Sequence, residues 1–315
     1  MQGAAPQGPA EAPYFSDIAE GPADGHAVWA RGADGVRIRV GLWPCAGARG
    51  TALLFPGRTE YIEKYGHVAR DLAARGLASA AVDWRGQGLA DRALSDRQTG
   101  HVQRFSDYQI DVAAMMAAVR AAGLPAPFVL VAHSMGGAIG LRAAMAGLGA
   151  AALVFSAPMW GIGLKPALLP VAWGLSAAAA ALGLGHRYAP GTGPNAYVGA
   201  VEMAGNVLTS DPAAFSLLAR QLAAHPELGL GGPSLRWLNQ ALRETRALRR
   251  MPLPALPAYV AVGSHERVVD PKAIAAQVAR WPGAEIEIMP GAEHEILMER
   301  PELRDRFLDR IAGAI

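Results

Sequence analysis

Short, fully apolar runs alternate with helical stretches along most of this 315-residue chain. A short apolar run between two helices is typical of a strand that is buried on both faces, and parallel sheets covered by helices are built from such strands. The predicted strands are Thr51–Phe55, Ala78–Val82, Pro127–Ala132, Ala151–Ser156, Pro257–Gly263 and Ala284–Met289. The sequence therefore predicts an α/β fold with a mostly parallel sheet that is covered on both faces.

The predicted helices lie between these strands and after the last of them. Their bounds are Glu60–Arg75, Ser106–Ala122, Ser134–Ala146, Pro271–Arg280 and Pro301–Ile311. Before the alternation begins, two runs rich in apolar residues, His26–Ala30 and Val36–Trp43, flank an Asp-Gly pair at 34–35. Because Asp-Gly supplies the positive φ of a tight turn, these runs predict an antiparallel hairpin.

Residues 158–251 interrupt the alternation, and we call them the insertion. They contain helical segments and the Gly/Pro-rich stretch Ala189–Asn195, but no convincing strand. An insertion that follows the carboxyl end of a strand lies over the place where open α/β sheets bind ligands, so we expect a helical lid. Residues 26–157 and 252–315 are expected to form the core. The polar, Gly- and Pro-containing residues 1–25 are expected to form a flexible arm.

Composition excludes several classes of protein. Hydrophobic residues make up 51% of the chain and charged residues 18%, which is too apolar for a disordered chain. The 29 basic and 27 acidic residues are too evenly balanced for a nucleic-acid binder that neutralises phosphates. The only cysteine, Cys45, excludes an intramolecular disulfide, which fits a reducing compartment. Residues 1–25 lack the regions of a secretory signal, so we expect a cytoplasmic protein.

A sharp turn from strand to helix is predicted at Ser134. A buried strand leads into this serine and a glycine-rich helix follows it, so the hydroxyl would stand above the edge of the sheet. Such a turn needs small residues two positions before and two after the serine, here Ala132 and Gly136. The usual pattern is G-x-S-x-G, from which Ala132 departs by one methyl group. The alternative is that Ser134 only caps the helix.

A nucleophilic serine needs a base, and the base needs a carboxylate. His294, in the loop after the last predicted strand, is the candidate base. The loop after the preceding strand offers Glu266 and Asp270. Asp270 precedes a proline and a helix, which is typical of an N-cap, so we favour Glu266 as the acid and keep Asp270 as the alternative. His133 is expected to point away from the nucleophile and to serve packing.

Two backbone N–H groups are candidates for an oxyanion hole. Met135 begins the helix behind the nucleophile and offers the first. The loop after strand 51–55 contains Gly57, which lets the backbone turn inward, and Arg58 offers the second. The neighbouring turn Asp-Trp-Arg-Gly-Gln-Gly begins at Asp83, and we interpret it as structural support for this loop.

With these residues the chain resembles α/β-hydrolases of the monoacylglycerol lipase and lysophospholipase group, most of all bacterial PldB-type lysophospholipases. The matching segments, within residues 30–315, are FPGRTEYIEKY (55–65), DWRGQG (83–88), AHSMGG (132–137), GGPSLRW (231–237), ERVVD (266–270) and GAEHEIL (291–297). The resemblance implies a triad of Ser134, Glu266 and His294, with no cofactor and no metal. Most of the superfamily has Asp where Glu266 stands, whereas PldB-type sequences have Glu.

The resemblance implies a serine esterase that releases a fatty acid from a single-chain lipid through an acyl-enzyme, as a lysophospholipase does. Monoacylglycerol, small esters and acyl transfer to an alcohol are alternatives within the same chemistry. A non-catalytic ligand receptor on this fold is a remote alternative, because such receptors commonly lose a member of the triad and all three roles are filled here. The expected partner is therefore a lipid or small ester, and not nucleic acid.

The insertion contains an uncharged stretch, Pro166–Gly185, that is long enough to cross a bilayer. A single span there would separate Ser134 from His294 across the membrane, so we reject it. The stretch is expected either to touch acyl chains or the inner surface of a membrane, or to pack on the core. Arginines recur every seven residues downstream, at Arg236, Arg243 and Arg250. They face either lipid phosphates or only water.

Overall fold

A computed structural model describes residues 10–315 of the chain. These residues form one mixed sheet of nine strands with helices packed against it. The strands are β1 (Glu11–Ala12), β2 (His26–Arg31), β3 (Arg37–Trp43), β4 (Thr51–Phe55), β5 (Ala78–Asp83), β6 (Phe128–His133), β7 (Ala152–Ser156), β8 (Ala258–Gly263) and β9 (Ala284–Met289). Their spatial order is β1-β2-β3-β5-β4-β6-β7-β8-β9, and the six from β5 to β9 run parallel. The predicted α/β class is confirmed.

Ten α-helices lie within the described residues. They are α1 (Ser16–Ala19), α2 (Gly66–Ala73), α3 (Tyr108–Ala121), α4 (Met135–Met145), α5 (Leu169–Ala181), α6 (Tyr197–Ala200), α7 (Pro212–Ala224), α8 (Leu235–Leu248), α9 (Pro271–Ala279) and α10 (Pro301–Ala312). Two apolar clusters fill the space between helices and sheet, one on each face. The sheet is therefore covered on both faces, as the apolar runs predict.

The predicted strands agree with the observed ones to within one residue at each end, and the hairpin of β2 and β3 is present with Gly35 at a φ of 86°. Every residue of β4, β5, β7 and β8 is buried, which is why these strands read as continuous apolar runs. β9 is the last strand of the sheet, and it leaves two isoleucines exposed on one face.

The helix predicted over Glu60–Arg75 is shorter than expected. A 3₁₀ turn occupies Ile62–Tyr65 and the α-helix begins only at Gly66. The backbone N–H of Ile62 donates to the carboxylate of Asp83, 2.9 Å away, at the end of β5. This bond to a neighbouring strand holds the first residues of the segment in a loop, so the helix starts after it.

Residues 10–25 differ from the expected flexible arm. β1 pairs with β2, and Ala19 at the end of α1 is fully buried. The indole nitrogen of Trp43 donates to the hydroxyl of Tyr14 at 2.9 Å, and the ring of Phe15 stacks on His225 with centroids 3.6 Å apart. Aromatic side chains thus fasten this segment to the fold. The rest of the expected arm, residues 1–9, lies outside the described residues.

A fully buried ion cluster supports the loops above the sheet. The guanidinium of Arg39 on β3 contacts Glu63 at 2.7 Å and Asp83 at 2.8 Å. Asp83 also accepts the backbone N–H of Leu89 at 2.8 Å, and so closes its own turn. In the same turn Arg85 pairs with Asp111 at 2.8 Å. The supporting role predicted for Asp83 agrees with these contacts.

The secondary-structure elements that the structure describes between β7 and β8 are all helices. α5 packs on α8, where the side chain of Asn239 donates to Ser176 at 3.2 Å. α5 has only 13 residues and is followed by Gly183, with a φ of 75°. Among residues 10–315, no helix is both long and apolar enough to cross a bilayer.

Candidate active site

Ser134 occupies the turn between β6 and α4, as predicted. Its φ of 50° and ψ of −119° lie in a region that costs a non-glycine residue conformational energy, which is characteristic of functional turns. Gly136 makes this turn possible, because a Cβ there would lie only 2.0 Å from the carbonyl oxygen of Phe55. The backbone N–H groups of Gly137 and Met159 both donate to the carbonyl of Ser134 at 2.8 Å and fix the turn.

Ala132, the departure from the usual glycine pattern, is accommodated by a second glycine. Ala132 is fully buried at the end of β6. A Cβ on Gly140 of α4 would lie 3.1 Å from the Cβ of Ala132 and 2.9 Å from Leu130. The methyl group of Ala132 therefore fits because helix α4 presents no side chain opposite it.

His294 and Glu266 are brought together by the loops after β9 and β8. The Nδ1 of His294 lies 2.7 Å from Oε2 of Glu266, and both side chains are almost completely buried. The other carboxylate oxygen accepts the N–H groups of Val268 at 2.6 Å and Val269 at 3.0 Å. Burial alone would raise the pKa of Glu266, but the bonds from His294 and from these N–H groups outweigh it and lower the pKa. The carboxylate is therefore ionised at neutral pH.

Asp270, the alternative acid, has a different environment. Its carboxylate accepts the N–H of Lys272 at 3.0 Å and caps the N-terminus of α9, with Pro271 at the first helical position. This is the N-cap that the sequence predicts. Of the two carboxylates in this loop, the structure brings only Glu266 to the imidazole.

Ser134 and His294 line one cavity of about 250 Å³ at the carboxyl ends of the parallel strands. Gly57 and Arg58 line the same cavity from the loop after β4. The insertion supplies most of the apolar lining, namely Ala196, Val198, Val207, Leu208, Leu218, Leu222 and Leu230. The candidate nucleophile and a carboxylate-bound imidazole thus face a space that suits an apolar group.

Two backbone N–H groups flank the serine. Within the described residues, neither the N–H of Arg58 nor that of Met135 has an acceptor. The N–H of Met135 is unpaired because helix α4 begins there. The residue before Arg58 is held at both of its backbone polar groups: the side chain of Glu60 accepts the N–H of Gly57, and Gln87 donates to the Gly57 carbonyl at 2.8 Å. In the described chain, the two N–H groups that the sequence suggests as oxyanion donors are therefore unpaired.

A buried polar cluster lies beside the cavity, and sequence reasoning missed it. The ammonium of Lys64 is 2.7 Å from carboxylate oxygens of both Glu60 and Glu295, and the hydroxyl of Tyr65 donates to Glu60 at 2.6 Å. Burial opposes the charge on Glu60, but the Lys64 ammonium holds the pKa of this carboxyl well below its usual value. The motif FPGRTEYIEKY contains three of these residues, and the i, i+4 spacing of Glu60 and Lys64 was the available signal.

In the described chain, this cluster is the one place where three side chains of the types that bind metal ions come close together. Donor atoms of Glu60, Glu295 and His133 lie within 4.8 Å of one another. The Lys64 ammonium, however, already contacts both carboxylates. A second cation would meet this charge at close range, so the donor set fits an ion-pair cluster better than a metal site.

His133 differs from its expected orientation. It lines the same cavity as Ser134, and its ring centroid lies 4.7 Å from that of His294. Its Nδ1 is 3.1 Å from the carbonyl oxygen of Ser156, and burial lowers its pKa to about 3. His133 is therefore neutral at physiological pH, and packs against the imidazole of His294.

Segments of the insertion contact the loops that form the site. The N–H of Glu295 donates to the carbonyl of Leu208 at 2.7 Å, one residue after His294. The guanidinium of Arg58 donates to the carbonyl of Gly231 at 2.8 Å. The position of the insertion is thus linked directly to the loops that carry the candidate base and the candidate oxyanion donor.

Comparison with known proteins identifies the family of this chain. A family model described as "Serine aminopeptidase, S33" matches residues 46–301. The chain is 31% identical over 289 residues to lysophospholipase L2 of Escherichia coli K12, which covers 89% of this chain and 84% of that protein. It is 30% identical to the probable lysophospholipase L2 of Haemophilus influenzae, over 86% and 85% of the two chains.

Among solved structures, a soluble variant of monoglyceride lipase from Saccharomyces cerevisiae superposes with a TM-score of 0.69, 20% identity and coverage of 90% of this chain and 92% of that one. A carboxyl esterase from Bacillus coagulans gives a TM-score of 0.67 at 18% identity, over 92% and 97% of the chains. At these identities the likeness concerns the fold, and it confirms the predicted α/β-hydrolase fold.

Proposed function

This chain belongs to the serine aminopeptidase, S33, family, in the lysophospholipase and monoglyceride lipase group of α/β-hydrolases, and from that membership we propose that it hydrolyses the acyl ester of lysophospholipids. The observation that carries the proposal is the 2.7 Å contact between His294 and Glu266, at a cavity shared with Ser134 and lined by apolar side chains. Its relatives support a hydrolase acting on lipid esters, and the mechanism below is our inference.

In this mechanism the hydroxyl of Ser134 attacks the acyl carbonyl while Nε2 of His294 takes the hydroxyl proton. The imidazolium that forms donates through Nδ1 to Glu266, whose negative charge stabilises it. The N–H groups of Arg58 and Met135 donate to the oxyanion. His294 then protonates the leaving alcohol, which departs and leaves an acyl-enzyme on Ser134. A water molecule, activated by His294, releases the fatty acid.

The family description includes aminopeptidases, but the cavity favours an acyl chain over a peptide amine. An aminopeptidase needs a free carboxylate for the ammonium of its substrate. The carboxylates of Glu60 and Glu295 at the cavity are already paired with Lys64. Half of the remaining lining residues are aliphatic, which suits the hydrocarbon of a lipid.

We assign to the insertion the role of a lid that meets the lipid surface. Six of its large apolar side chains are exposed: Leu168, Leu169, Val171, Leu175, Leu182 and Leu184. The insertion also contains eight basic and only four acidic residues, although the whole chain is nearly balanced. Exposed leucines with basic neighbours are the combination that binds an anionic lipid surface.

The test combines a covalent label with a panel of substrates. A fluorophosphonate probe should label the wild-type protein, and Ser134→Ala should remove the label. The purified protein should hydrolyse lysophospholipids faster than monoacylglycerols and short p-nitrophenyl esters with matched acyl chains. Monoacylglycerol is the second candidate substrate, because the apolar lining accepts its acyl chain equally well. Absence of labelling would overturn the mechanism, whereas a preference for monoacylglycerol would replace the substrate.

A further inference from the structure

Arg58 lines the cavity, and its polar contacts differ from those of the two buried arginines Arg39 and Arg85. Arg39 contacts two carboxylates, those of Glu63 and Asp83, and Arg85 contacts those of Asp111 and Asp34. In the part of the chain that the structure describes, no carboxylate lies within 4.0 Å of the Arg58 guanidinium. Its polar partner is a neutral group, the carbonyl of Gly231.

The guanidinium of Arg58 is nevertheless held in a fixed place. It lies 5.7 Å from the ring centroid of Trp237, a buried side chain of α8, within the range of a cation–π interaction. Its bond to Gly231 fixes the opposite side. A guanidinium has five N–H donors, and only one of those of Arg58 is used by Gly231. No side-chain nitrogen of Arg58 is both shielded from solvent and without a hydrogen-bond partner. The remaining N–H groups are therefore accessible to a ligand.

Burial of the Arg58 guanidinium without a counter-ion costs free energy, because the charge loses hydration. Burial lowers the pKa of Arg58 to about 10, and no carboxylate compensates for the lost hydration. The other charged groups of the cavity are already satisfied, because Lys64 pairs with Glu60 and Glu295, and Glu266 receives the bond from His294. An anion at Arg58 would restore the missing compensation, and guanidinium groups bind phosphate in two-point geometry.

We infer that the guanidinium of Arg58 binds the phosphate of the substrate's headgroup and thereby selects lysophospholipids over neutral monoacylglycerols. The inference rests on the proposed function. The backbone N–H of the same residue is the candidate donor to the acyl carbonyl, so one residue would contact both ends of the glycerol unit. In a lysophospholipid the glycerol carbons separate the ester from the phosphate, a span similar to the length of an arginine side chain.

The test compares two substrates that differ only in the phosphate-containing headgroup. Octanoyl lysophosphatidylglycerol and octanoylglycerol, both below their micellar concentrations, avoid any effect of a lipid surface. We expect Arg58→Gln to lower the ratio of their kcat/KM values by about tenfold to a hundredfold, the range for a lost hydrogen bond to a charged group. Arg58→Lys, which keeps a positive charge, should recover part of this ratio.

The matched control is Arg187→Gln, which removes an exposed arginine of the insertion and should leave the ratio unchanged. An equal fall with both substrates in Arg58→Gln would show that Arg58 acts by positioning the loop, and would overturn the inference. Free phosphate is the other source of the same chemistry. Inhibition of octanoylglycerol hydrolysis by inorganic phosphate, together with an unchanged substrate ratio, would assign the site to free phosphate and also overturn the inference.

Failure of the proposed function gives a different result. In that case the wild-type protein would hydrolyse octanoyl lysophosphatidylglycerol no faster than a variant that lacks Ser134. If the wild type hydrolyses this substrate and Arg58→Gln keeps the wild-type ratio, the proposed function stands and the inference about Arg58 is wrong.

Discussion

The turn after β5 and the region of helix α5 in the insertion differ in where they place charged and apolar side chains. At the turn, Arg39, Glu63 and Asp83 form a charged cluster with no exposed side-chain surface. On the insertion, Val171 is 60% exposed and Leu182 is 74% exposed. Buried charges are tolerated only where partners satisfy them, and exposed apolar patches commonly mark surfaces that meet another apolar phase.

The contrast separates two tasks. We infer that the core positions the candidate reacting groups, because the carbonyl of Ser134 accepts the N–H groups of Gly137 and Met159 and His294 contacts Glu266. Helix α5 has no charged residue and packs mainly on α8. A change in the core should therefore affect every substrate alike, whereas a change on α5 should affect only substrates that are presented by a lipid surface.

The largest expected effect is that of Ser134→Ala. Because the members of a triad act as one unit, we expect loss of turnover by about 10⁶-fold on every substrate, from short p-nitrophenyl esters to vesicles. Steady-state kinetics with both kinds of substrate measure this loss, and Ser95→Ala, at an exposed serine outside the site, is the control. Loss confined to long-chain substrates would contradict the assignment of the chemistry to the core.

The next effect is that of Glu266→Gln. The amide keeps the shape of the side chain but removes the charge that stabilises the imidazolium, so kcat should fall by about 10⁴-fold with little change in melting temperature. Glu293→Gln makes the same chemical change next to His294, on a carboxylate that pairs with Arg267 at 2.9 Å. Its activity should remain within about threefold of wild type. Equal losses in the two variants would indicate a general effect on the loop.

A double change at Leu168 and Leu169, where a 3₁₀ turn meets helix α5, tests the other half of the comparison. Leu168→Asp with Leu169→Asp should reduce hydrolysis of vesicle-bound substrate by about tenfold or more, since losing two leucine contacts with an apolar surface exceeds 1.4 kcal/mol. Hydrolysis of a short soluble ester should persist. The two leucines are 51% and 39% exposed, so the melting temperature should change little.

The matched control is Leu242→Asp on α8, at a leucine that is 3% exposed. A buried charge there should lower the melting temperature and depress activity on all substrates together. If the variant with Leu168→Asp and Leu169→Asp behaved in the same way, α5 would only pack on the core, and the proposed contact with lipid would be wrong.

The smallest effect is expected for Asp270→Ala. Loss of the N-cap of α9 should cost about 1 kcal/mol of unfolding free energy, a decrease in melting temperature of about 2 °C. Activity below the transition should stay close to wild type, because the carboxylate bonds to the N–H of Lys272 and not to His294. Thermal unfolding and esterase assays check both parts. An inactive but stable variant would exchange the roles of Asp270 and Glu266.

The sequence was informative where one local pattern determines the outcome. Strands buried on both faces are apolar throughout, so the sequence predicts β4 with its observed bounds. The turn at Ser134 and the cap at Asp270 also follow from neighbouring residues. The sequence indicates the contact between Glu266 and His294 because Asp270 has the pattern of a helix cap, whereas Glu266 lies nearer the end of the preceding strand.

The features that were missed depend on contacts between distant segments. Lys64 and Glu295 are 231 positions apart, and only the folded chain brings their charges together. His133 was expected to face away from Ser134, because adjacent residues of a strand alternate, but the strained turn at Ser134 breaks that alternation. The fastening of residues 10–25 depends likewise on partners such as His225, which no local pattern identifies.

The fit of Ala132 against Gly140 has a consequence for engineering. A Cβ at position 140 would meet both Leu130 and the methyl group of Ala132, whereas position 132 can lose its methyl group without a change at position 140. Gly136 has no such partner, because its obstacle is the backbone of Phe55, which cannot be exchanged for a smaller group. A combinatorial library should therefore vary positions 132 and 140 together and keep position 136 fixed. A side chain at position 140 requires both glycine at position 132 and a shift of the Leu130 side chain.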